Sequence, residues 1–261
     1  MLSLYVFAGY RLIPALQQIY SSLTQLNFSK PALYSLNKDL MSLKFSEPVK
    51  KTHKAFKLNK QLTFKNISYK YPKTEKYVLN DVSLNIPAYS KIGIVGTTGG
   101  GKTTLIDLLL GLLTPTHGKI FVDDNMIKSD NVRSWQKSIG YVPQQIYLAD
   151  DTVTSNIAFG IDANNIDHQA LEKAAKIANL HDFVISELPS GYSTIIGERG
   201  VRLSGGQRQR IGLARSLYHK PDVLILDEAT SSLDNITEKM VIDEINNLED
   251  KITIIIIAHR L

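Results

Sequence analysis

The sequence predicts an α/β protein, and three stretches of its 261 residues carry that prediction. A short apolar strand, 91–95, leads through a glycine-rich loop into an apolar helix that begins near residue 102. A second apolar run, 223–226, ends in two acids, and such an unbroken run is typical of a strand buried on both faces of a parallel sheet. Between them, 168–188 combines helix-forming residues with apolar positions at helical spacing. A mostly parallel sheet with helices packed around it is therefore expected.

The composition excludes several classes of protein. With 43% hydrophobic and 21% charged residues the chain can form a core, which argues against a disordered protein, and the absence of cysteine excludes disulfides and cysteine metal sites. Residues 1–60 carry nine Lys/Arg and two Asp/Glu, whereas the remaining 201 carry 21 and 23. A basic segment of this kind indicates a nucleic-acid arm or a juxtamembrane segment. Because the rest of the chain has no basic excess, we expect a membrane and no nucleic acid.

The N-terminal segment favours a helix that ends at a membrane. Residues 1–13 are apolar, but a helix that crosses a bilayer needs about 20 such residues. Leucines and other apolar residues continue to residue 43 at spacings of three, four or seven, as on one stripe of a helix. Two interpretations stay open: an amphipathic helix of a soluble domain, or the cytoplasmic end of a transmembrane helix. Six lysines in 44–60 suit a linker on the cytoplasmic side. We therefore expect the end of the last transmembrane helix and its cytoplasmic extension at 1–45, a linker at 46–60 and the main domain, incomplete at its C-terminus, at 61–261.

Before the glycine-rich loop, the pattern changes to that of antiparallel strands. Residues 62–71 and 78–87 alternate apolar and polar side chains, as half-buried strands do. We expect an antiparallel β part near 60–95 together with 118–124.

The glycine-rich loop predicts a phosphate site. It matches the pattern G-x-x-x-x-G-K-[ST] and lies between a strand and a helix, a context that disfavours a chance glycine-rich turn. Glycines let backbone N–H groups converge on phosphate oxygens, and the helix start attracts anions. Lys102 adds a charge for the outer phosphates, and the Thr103 hydroxyl can bind Mg²⁺. The expected nucleotide-binding residues of the loop are Gly96, Thr97, Thr98, Gly99, Gly100, Gly101, Lys102, Thr103 and Thr104.

The acidic strand end predicts the second half of the same site. Ligands of parallel α/β sheets bind outside the carboxyl ends of the strands, where Asp227 and Glu228 follow 223–226. Asp227 would hold Mg²⁺, directly or through a water molecule, and Glu228 would act as general base towards an attacking water. The alternative, two acids that cap the following turn, is weakened by the phosphate loop in the same chain.

The stretch Leu-Ser-Gly-Gly-Gln, 203–207, followed by RQRIGLARSLYHKPDVLILDEATSSLD, resembles the signature of ABC transporter ATPases. The resemblance implies a P-loop NTPase (RecA-like) core, the antiparallel β part and a helical subdomain near 150–215. Ser204 and the glycines would begin a helix and offer a hydroxyl and free N–H groups to an anion, although Ser204 could also be a plain N-cap. In the family this signature closes over the ATP of a partner domain. The residues implied in that contact are Ser204, Gly205, Gly206 and Gln207.

Other motifs of the family follow in order. Tyr71 resembles the aromatic residue that stacks on adenine, with Tyr69 and Tyr77 as alternatives. Gln144, rather than Gln145, resembles the glutamine that reaches Mg²⁺. His259 resembles the histidine that contacts the γ-phosphate. The loop at 197–200 resembles the one that contacts the opposite transmembrane helices, and the loop at 231–234 resembles the one that lines the dimer seam. The resemblance thus implies the catalytic residues Glu228, His259, Gln144 and Lys102. It implies the metal ligands Thr103, Gln144 and Asp227.

Two departures from the family pattern stand out. Gly100 stands where the family often has serine, and the sequence stops at Leu261. We therefore expect a fragment of a longer transporter.

The implied function is hydrolysis of ATP, with Mg²⁺, in an ABC exporter of the fused half-transporter type at the cytoplasmic side of the inner cell membrane. The implied partners are a second such domain, head to tail in a homodimer or heterodimer, and the transmembrane domain of the same full-length chain. Residues 7–23 resemble flippases of lipid-linked oligosaccharides, which suggests an amphipathic substrate. Three alternatives stay open: a soluble ABC ATPase, the ATPase subunit of an importer, and a regulatory module without turnover.

Overall fold

The computed structural model describes residues 2–42, 56–197, 200–201, 203–227, 240, 243–244 and 252–258. The chain divides into two compact units, Met1–Lys51 and Thr52–Leu261. Each unit is described by itself.

In the described part of the first unit, residues 2–42, the chain forms one long helix. Helix α1 spans Leu2–Ser42, 41 residues, and contains Pro14 and Pro31. It confirms the helix that the spacing of apolar residues predicted for this segment. Large apolar side chains along its length are exposed, among them Leu16 at 61% and Leu23 at 54%. Among the described helices of the chain, none combines the length and apolarity that a bilayer crossing requires.

The second unit contains an antiparallel sheet with the spatial order β2-β1-β4-β5. Its strands are β1 (Gln61–Tyr69), β2 (Leu79–Pro87), β4 (His117–Val122) and β5 (Asn125–Met126). This sheet confirms the antiparallel part predicted from the alternating pattern. The predicted range of 60–95 was too wide, however, because strand β3 (Lys91–Val95) pairs in the other sheet. Its Ile92 and Ile94 pack against a cluster that includes Val223 and Ile225, whereas Val95 is 50% exposed.

The parallel sheet has the order β3-β8-β7-β6, and every pair of neighbours is parallel. Besides β3 it contains β6 (Ile139–Val142), β7 (Val223–Asp227) and β8 (Thr253–Ala258). Residues 223–226 are at most 3% exposed, which confirms the prediction of a strand buried on both faces. Alternate residues of β7 enter two different hydrophobic clusters: Leu224 and Leu226 pack with the helices, whereas Val223 and Ile225 pack with α2 and the antiparallel sheet.

The α-helices described between Lys102 and Tyr218 are short. They are α2 (Lys102–Leu109), α3 (Val132–Gln136), α4 (Val153–Ile157), α5 (His168–Ile177), α6 (His181–Glu187) and α7 (Gly205–Tyr218). The last four lie in the predicted helical region near 150–215. The stretch 168–188 is divided at Asn179, whose φ of 50° is left-handed and therefore ends α5. Helix α7 packs on α4, α5 and β6.

One carboxylate fixes the entry of the chain into this unit. Asp123, in the turn after β4, accepts the backbone N–H groups of Asn59 (3.0 Å), Lys60 (2.8 Å) and Gln61 (3.0 Å). Leu58, just before them, is 2% exposed. Burial alone would raise the pKa of Asp123, but these backbone hydrogen bonds outweigh it and lower the pKa below its usual value.

Replacing Asp123 with Asn removes this charge and is expected to cost about 1 kcal/mol of unfolding free energy at pH 7, because three N–H groups lose a charged acceptor at a partly exposed site. A lowered native pKa stabilises the fold above the unfolded pKa of ~3.9 and this contribution is lost as the pH falls through the native pKa. Urea unfolding of the full chain at pH 7 and pH 3 should therefore show a difference between parent and variant that shrinks in acid. Asp124→Asn, which breaks only an exposed ion pair with Lys60, is the control. Equal losses in both variants would contradict the role of Asp123.

Candidate nucleotide-binding site

The phosphate loop joins β3 to α2 and is held together by its own lysine. Lys102 is only 8% exposed, and its ammonium group donates to Gly96 O at 2.7 Å and Thr97 O at 3.0 Å. The backbone N–H of Gly100 donates to Thr97 O at 3.0 Å, which closes a turn inside the loop. The lysine therefore lies against the loop, with its positive charge next to the start of α2.

Glycine is required where the loop enters the helix. Gly101 is the N-cap of α2 and has a φ of 84°, in the left-handed region. A Cβ at this position would lie 3.0 Å from Leu79 Cδ2 and 3.2 Å from Val78 O. Gly100, which departs from the family pattern, has an ordinary φ, and a Cβ there would lie 3.0 Å from Thr97 O. The structure thus accommodates this departure in a tight turn. The first N–H groups of α2 have no acceptor within the helix and are available to an anion.

Of the three candidate tyrosines, Tyr71 is the one that contacts the helix of the phosphate loop. Its hydroxyl lies 3.1 Å from Thr104 Oγ1, and the residue is 41% exposed. Tyr69 is 6% exposed and meets Tyr71 edge to face at 5.1 Å, so it belongs to the core. Tyr77 instead lies beside His117, with ring centroids 6.3 Å apart. The contact with Thr104 therefore favours Tyr71.

The acidic strand end lies at the same edge of the sheet as the loop. Asp227 ends β7, and Tyr141 donates its hydroxyl to Asp227 Oδ2 at 3.2 Å. Burial, followed by the negative charges of Asp227 and Asp107, raises the pKa of Tyr141 to about 12. Burial and the charge of Asp227 likewise raise the pKa of Asp107 on α2. These two neighbours of Asp227 were missed from the sequence, although Asp107 stands four residues after Thr103, on the same face of the helix.

The segment that carries Gln144 begins beside Asp227. Strand β6 is paired with β7, with Val142 opposite Leu226, and Gln144 follows two residues later with an exposed side chain. Gln145 is also exposed. The carboxyl ends of β3, β7 and β6 therefore bring the phosphate loop, Asp227 and the Gln144 segment to one edge of the sheet.

The predicted signature begins α7 with a capping box. Ser204 Oγ accepts the backbone N–H of Gln207 at 3.2 Å, and Gln207 Oε1 accepts the backbone N–H of Ser204 at 2.7 Å. Both side chains thus have a local structural role, as the N-cap alternative predicted. Gly205 and Gly206 are the first residues of the helix, where N–H groups have no acceptor within it. Within the part of the chain that the structure describes, no hydrogen bond joins Ser204 to the phosphate loop.

Several predicted residues cannot be placed. Glu228, His259, the loop 231–234 and the central pair of 197–200 lie outside the described residues. Ala258, which directly precedes His259, pairs with Val95 at the start of the phosphate loop.

A cavity of about 420 Å³ lies at the opposite ends of the strands. It is lined in part by Tyr89, Asp222 and Ile252, which precede β3, β7 and β8, and by Lys57 and Lys220. Of the predicted site residues that the structure describes, none lines this cavity. Its position therefore separates it from the phosphate loop.

Comparison with known proteins agrees with this geometry. Residues 79–231 match the family described as ABC transporter. The chain is 40% identical, over 96% of its length, to "ABC transporter B family member 29, chloroplastic" of Arabidopsis thaliana, of which it covers 39%. It is 42% identical, over 78% of its length, to the "ATP-dependent lipid A-core flippase" of Syntrophus aciditrophicus (strain SB), of which it covers 33%. A solved structure, "Structure of a bacterial Atm1-family ABC exporter with ATP bound", matches 88% of the chain and 40% of that protein, with a TM-score of 0.77 and 33% identity.

The parallel sheet, the phosphate loop and the acidic strand end define a P-loop NTPase domain with an added antiparallel sheet and helices. Within that class, the chain belongs to the ABC transporter family. It spans about two fifths of the length of the first relative and one third of the second.

Adding a methyl group at Gly101 is expected to weaken nucleotide binding at least about tenfold, because a left-handed φ and contacts of 3.0 Å and 3.2 Å leave no room for a Cβ without moving the loop. Gly93→Ala is the matched control, since a Cβ there meets nothing within 4 Å. Binding of a fluorescent ATP analogue to the full chain measures both. An unchanged affinity in Gly101→Ala would show that the loop does not contact nucleotide.

Proposed function

We propose that this chain is the ATP-binding and ATP-hydrolysing part of an ABC exporter that moves a substrate across a membrane. The observation that carries the proposal is the single sheet edge at which a lysine-closed phosphate loop and the carboxylate of Asp227 meet. N–H donors and a cation bind and position phosphate groups, and a nearby carboxylate can hold the metal ion that accompanies them.

The residues at this edge fit a magnesium ion as well as a nucleotide. The Thr103 hydroxyl, the Asp227 carboxylate and the Gln144 amide are the oxygen donors that Mg²⁺ prefers, and the hydroxyl of Tyr141 orients the carboxylate. The ion would neutralise charge on the phosphates. We propose Thr103, Gln144 and Asp227 as its ligands.

The protein's own groups would then perform hydrolysis. Lys102 and the N–H groups of the loop hold the phosphates, and Tyr71 packs against adenine. Glu228 accepts a proton from the water that attacks the γ-phosphorus, while the bond to the ADP oxygen breaks. His259 holds the γ-phosphate. The products are ADP and inorganic phosphate.

The start of α7 favours a dimer in which each chain completes its partner's site. Ser204 accepts one N–H but retains its own hydroxyl proton as a donor, and the N–H groups of Gly205 and Gly206 stand beside it. We propose that these donors bind the nucleotide of a second ABC ATPase domain, placed head to tail in a homodimer or heterodimer.

The membrane part of the proposal rests on α1 and on three exposed apolar side chains of the main domain. Helix α1 exposes apolar side chains along its length, as a segment that continues from a transmembrane domain of the same chain would. Tyr147, Phe159 and Val201 are 65%, 50% and 77% exposed, which suits contact with transmembrane helices. The segment 1–45, the linker at 46–60 and the domain from residue 61 remain the proposed boundaries. The α1 segment disfavours a separate importer subunit or a soluble ATPase.

The proposed substrate is inferred from one relative, which is named as a lipid A-core flippase. The proposed membrane rests on the basic linker, since the relatives' names include a chloroplastic protein as well. We propose a lipid-linked or other amphipathic substrate, and a position of the main domain at the cytoplasmic side of the inner cell membrane.

Replacing Glu228 with Gln tests the general base. Gln keeps the size of the side chain but cannot accept the proton, so hydrolysis in the full-length protein should fall at least about a hundredfold while ATP binding persists. Glu187→Gln, at the exposed end of α6, is the control. Turnover near the parent rate in Glu228→Gln would reject the assigned base, and a parent protein that binds no ATP would reject the proposed function.

Mixing two variants tests the head-to-tail dimer. Lys102→Ala damages the phosphate loop and Ser204→Arg blocks the helix start, so neither full-length variant alone should occlude ATP. In a mixed dimer, one site combines an intact loop with an intact helix start and should retain labelled ATP. Mixed dimers that form but recover no occlusion would contradict contact in trans.

A further inference from the structure

Arg215, in the last turn of α7, donates to a segment far from it in sequence. Its Nη1 donates to Tyr147 O at 2.9 Å and its Nε to Asn156 O at 2.7 Å. Its Nη2 donates to Asn156 Oδ1 at 3.2 Å. The guanidinium also lies 4.9 Å from the ring centroid of Phe159. One side chain thus connects α7 with α4 and with the segment that follows Gln144.

Asn156 extends this connection within the same segment. It is fully buried, and its Nδ2 donates to Ala149 O and Thr152 O, each at 3.0 Å. Its Oδ1 accepts the backbone N–H of Ala149 at 2.9 Å. The amide therefore pairs with both backbone groups of Ala149, as a neighbouring strand would, and fixes the turn before α4.

A second contact fixes the segment independently. Ile146 packs on Gly212, where a Cβ would lie 2.6 Å from Ile146 Cδ1. Gly212 and Arg215 are three residues apart and so share a face of α7. The segment therefore rests on α7 at two successive residues, Ile146 and Tyr147, which lie two and three residues after Gln144.

We propose that Arg215 is a positioning residue that locks the segment after Gln144 to α7. Gln144, near the chain's own phosphate loop, and Ser204, at the start of the same helix, then move as one body. This role rests on the proposed function. Arg215 couples two movements: Gln144 approaches the nucleotide of its own chain, and Ser204 approaches the nucleotide of the partner chain.

The chemistry requires arginine at this position. A guanidinium presents N–H donors in a fixed planar fork, so it can reach two carbonyls and an amide oxygen at once, while its flat face packs on an aromatic ring. An ammonium group has the same charge but cannot reproduce this planar arrangement. Burial lowers the pKa of Arg215 from its usual value, which is consistent with an enclosed group held by neutral acceptors.

Arg215→Lys in the full-length protein tests the lock, and Arg210→Lys is its matched control. Arg210 lies on the same helix and donates to a backbone carbonyl, Asn179 O, at 2.7 Å, but that carbonyl belongs to the turn after α5. Two readouts apply: hydrogen exchange of peptides that cover 146–157, and the separate kcat and KM values for ATP. A smaller change, Phe159→Leu, removes only the aromatic face and is measured by exchange alone.

We expect Arg215→Lys to raise exchange in 146–157 about tenfold, because directional hydrogen bonds are lost while the fold persists. Phe159→Leu should raise it about twofold to threefold, because it removes only a partly exposed cation–π contact. In Arg215→Lys, kcat should fall about tenfold and KM should stay within about twofold, since the phosphate loop is untouched. Arg210→Lys should leave both readouts near the parent values.

Equal effects of Arg215→Lys and Arg210→Lys would reduce Arg215 to a general stabiliser of α7 and overturn the proposal. Unchanged exchange in 146–157 would overturn it as well, even if activity fell. If the parent protein does not hydrolyse ATP, the proposed function fails, whereas the exchange data still decide whether Arg215 holds the segment.

Discussion

The parallel alignment of β3, β8, β7 and β6 is the constraint on which the site depends. Because all four strands run the same way, their carboxyl ends meet at one edge, and three segments far apart in sequence become neighbours there. The register places Asp227 beside Ile257 and Ala258 beside Val95. A shift of one residue in any pair would turn side chains to the opposite face and separate the carboxylate from the loop.

Helix α7 depends in turn on close contact with this sheet. Gly140 in β6 has no room for a side chain, since a Cβ would lie 2.7 Å from Ser216 O and 2.9 Å from Pro221 Cγ. Gly212 allows a similarly close contact with Ile146. Glycine lets the helix backbone approach the strand at Gly140 and lets the Ile146 side chain approach the helix at Gly212. The capping box at Ser204 and the lock at Arg215 are therefore two ends of one rigid element that lies on the strand before Gln144.

The sequence predicts features that depend on consecutive residues and misses side-chain contacts between residues that are far apart along the chain. The phosphate loop, the buried strand before Asp227 and the N-cap at Ser204 each follow from a few consecutive residues, and the structure has all three. Tyr141 and Arg215 escaped notice because their partners lie 59 to 86 residues away along the chain. The break at Asn179 within a helical pattern was also missed, because apolar periodicity continues across it.

Hydrogen exchange of the full-length protein with and without Mg²⁺ and a slowly hydrolysed ATP analogue tests most directly where the nucleotide binds. Binding at the carboxyl ends of the strands should slow exchange in peptides covering 96–105 and in those around Gln144, and leave the turn around Asp123 unchanged. Protection confined to the cavity near Tyr89, Lys220 and Asp222, at the opposite ends of the same strands, would contradict the assigned site.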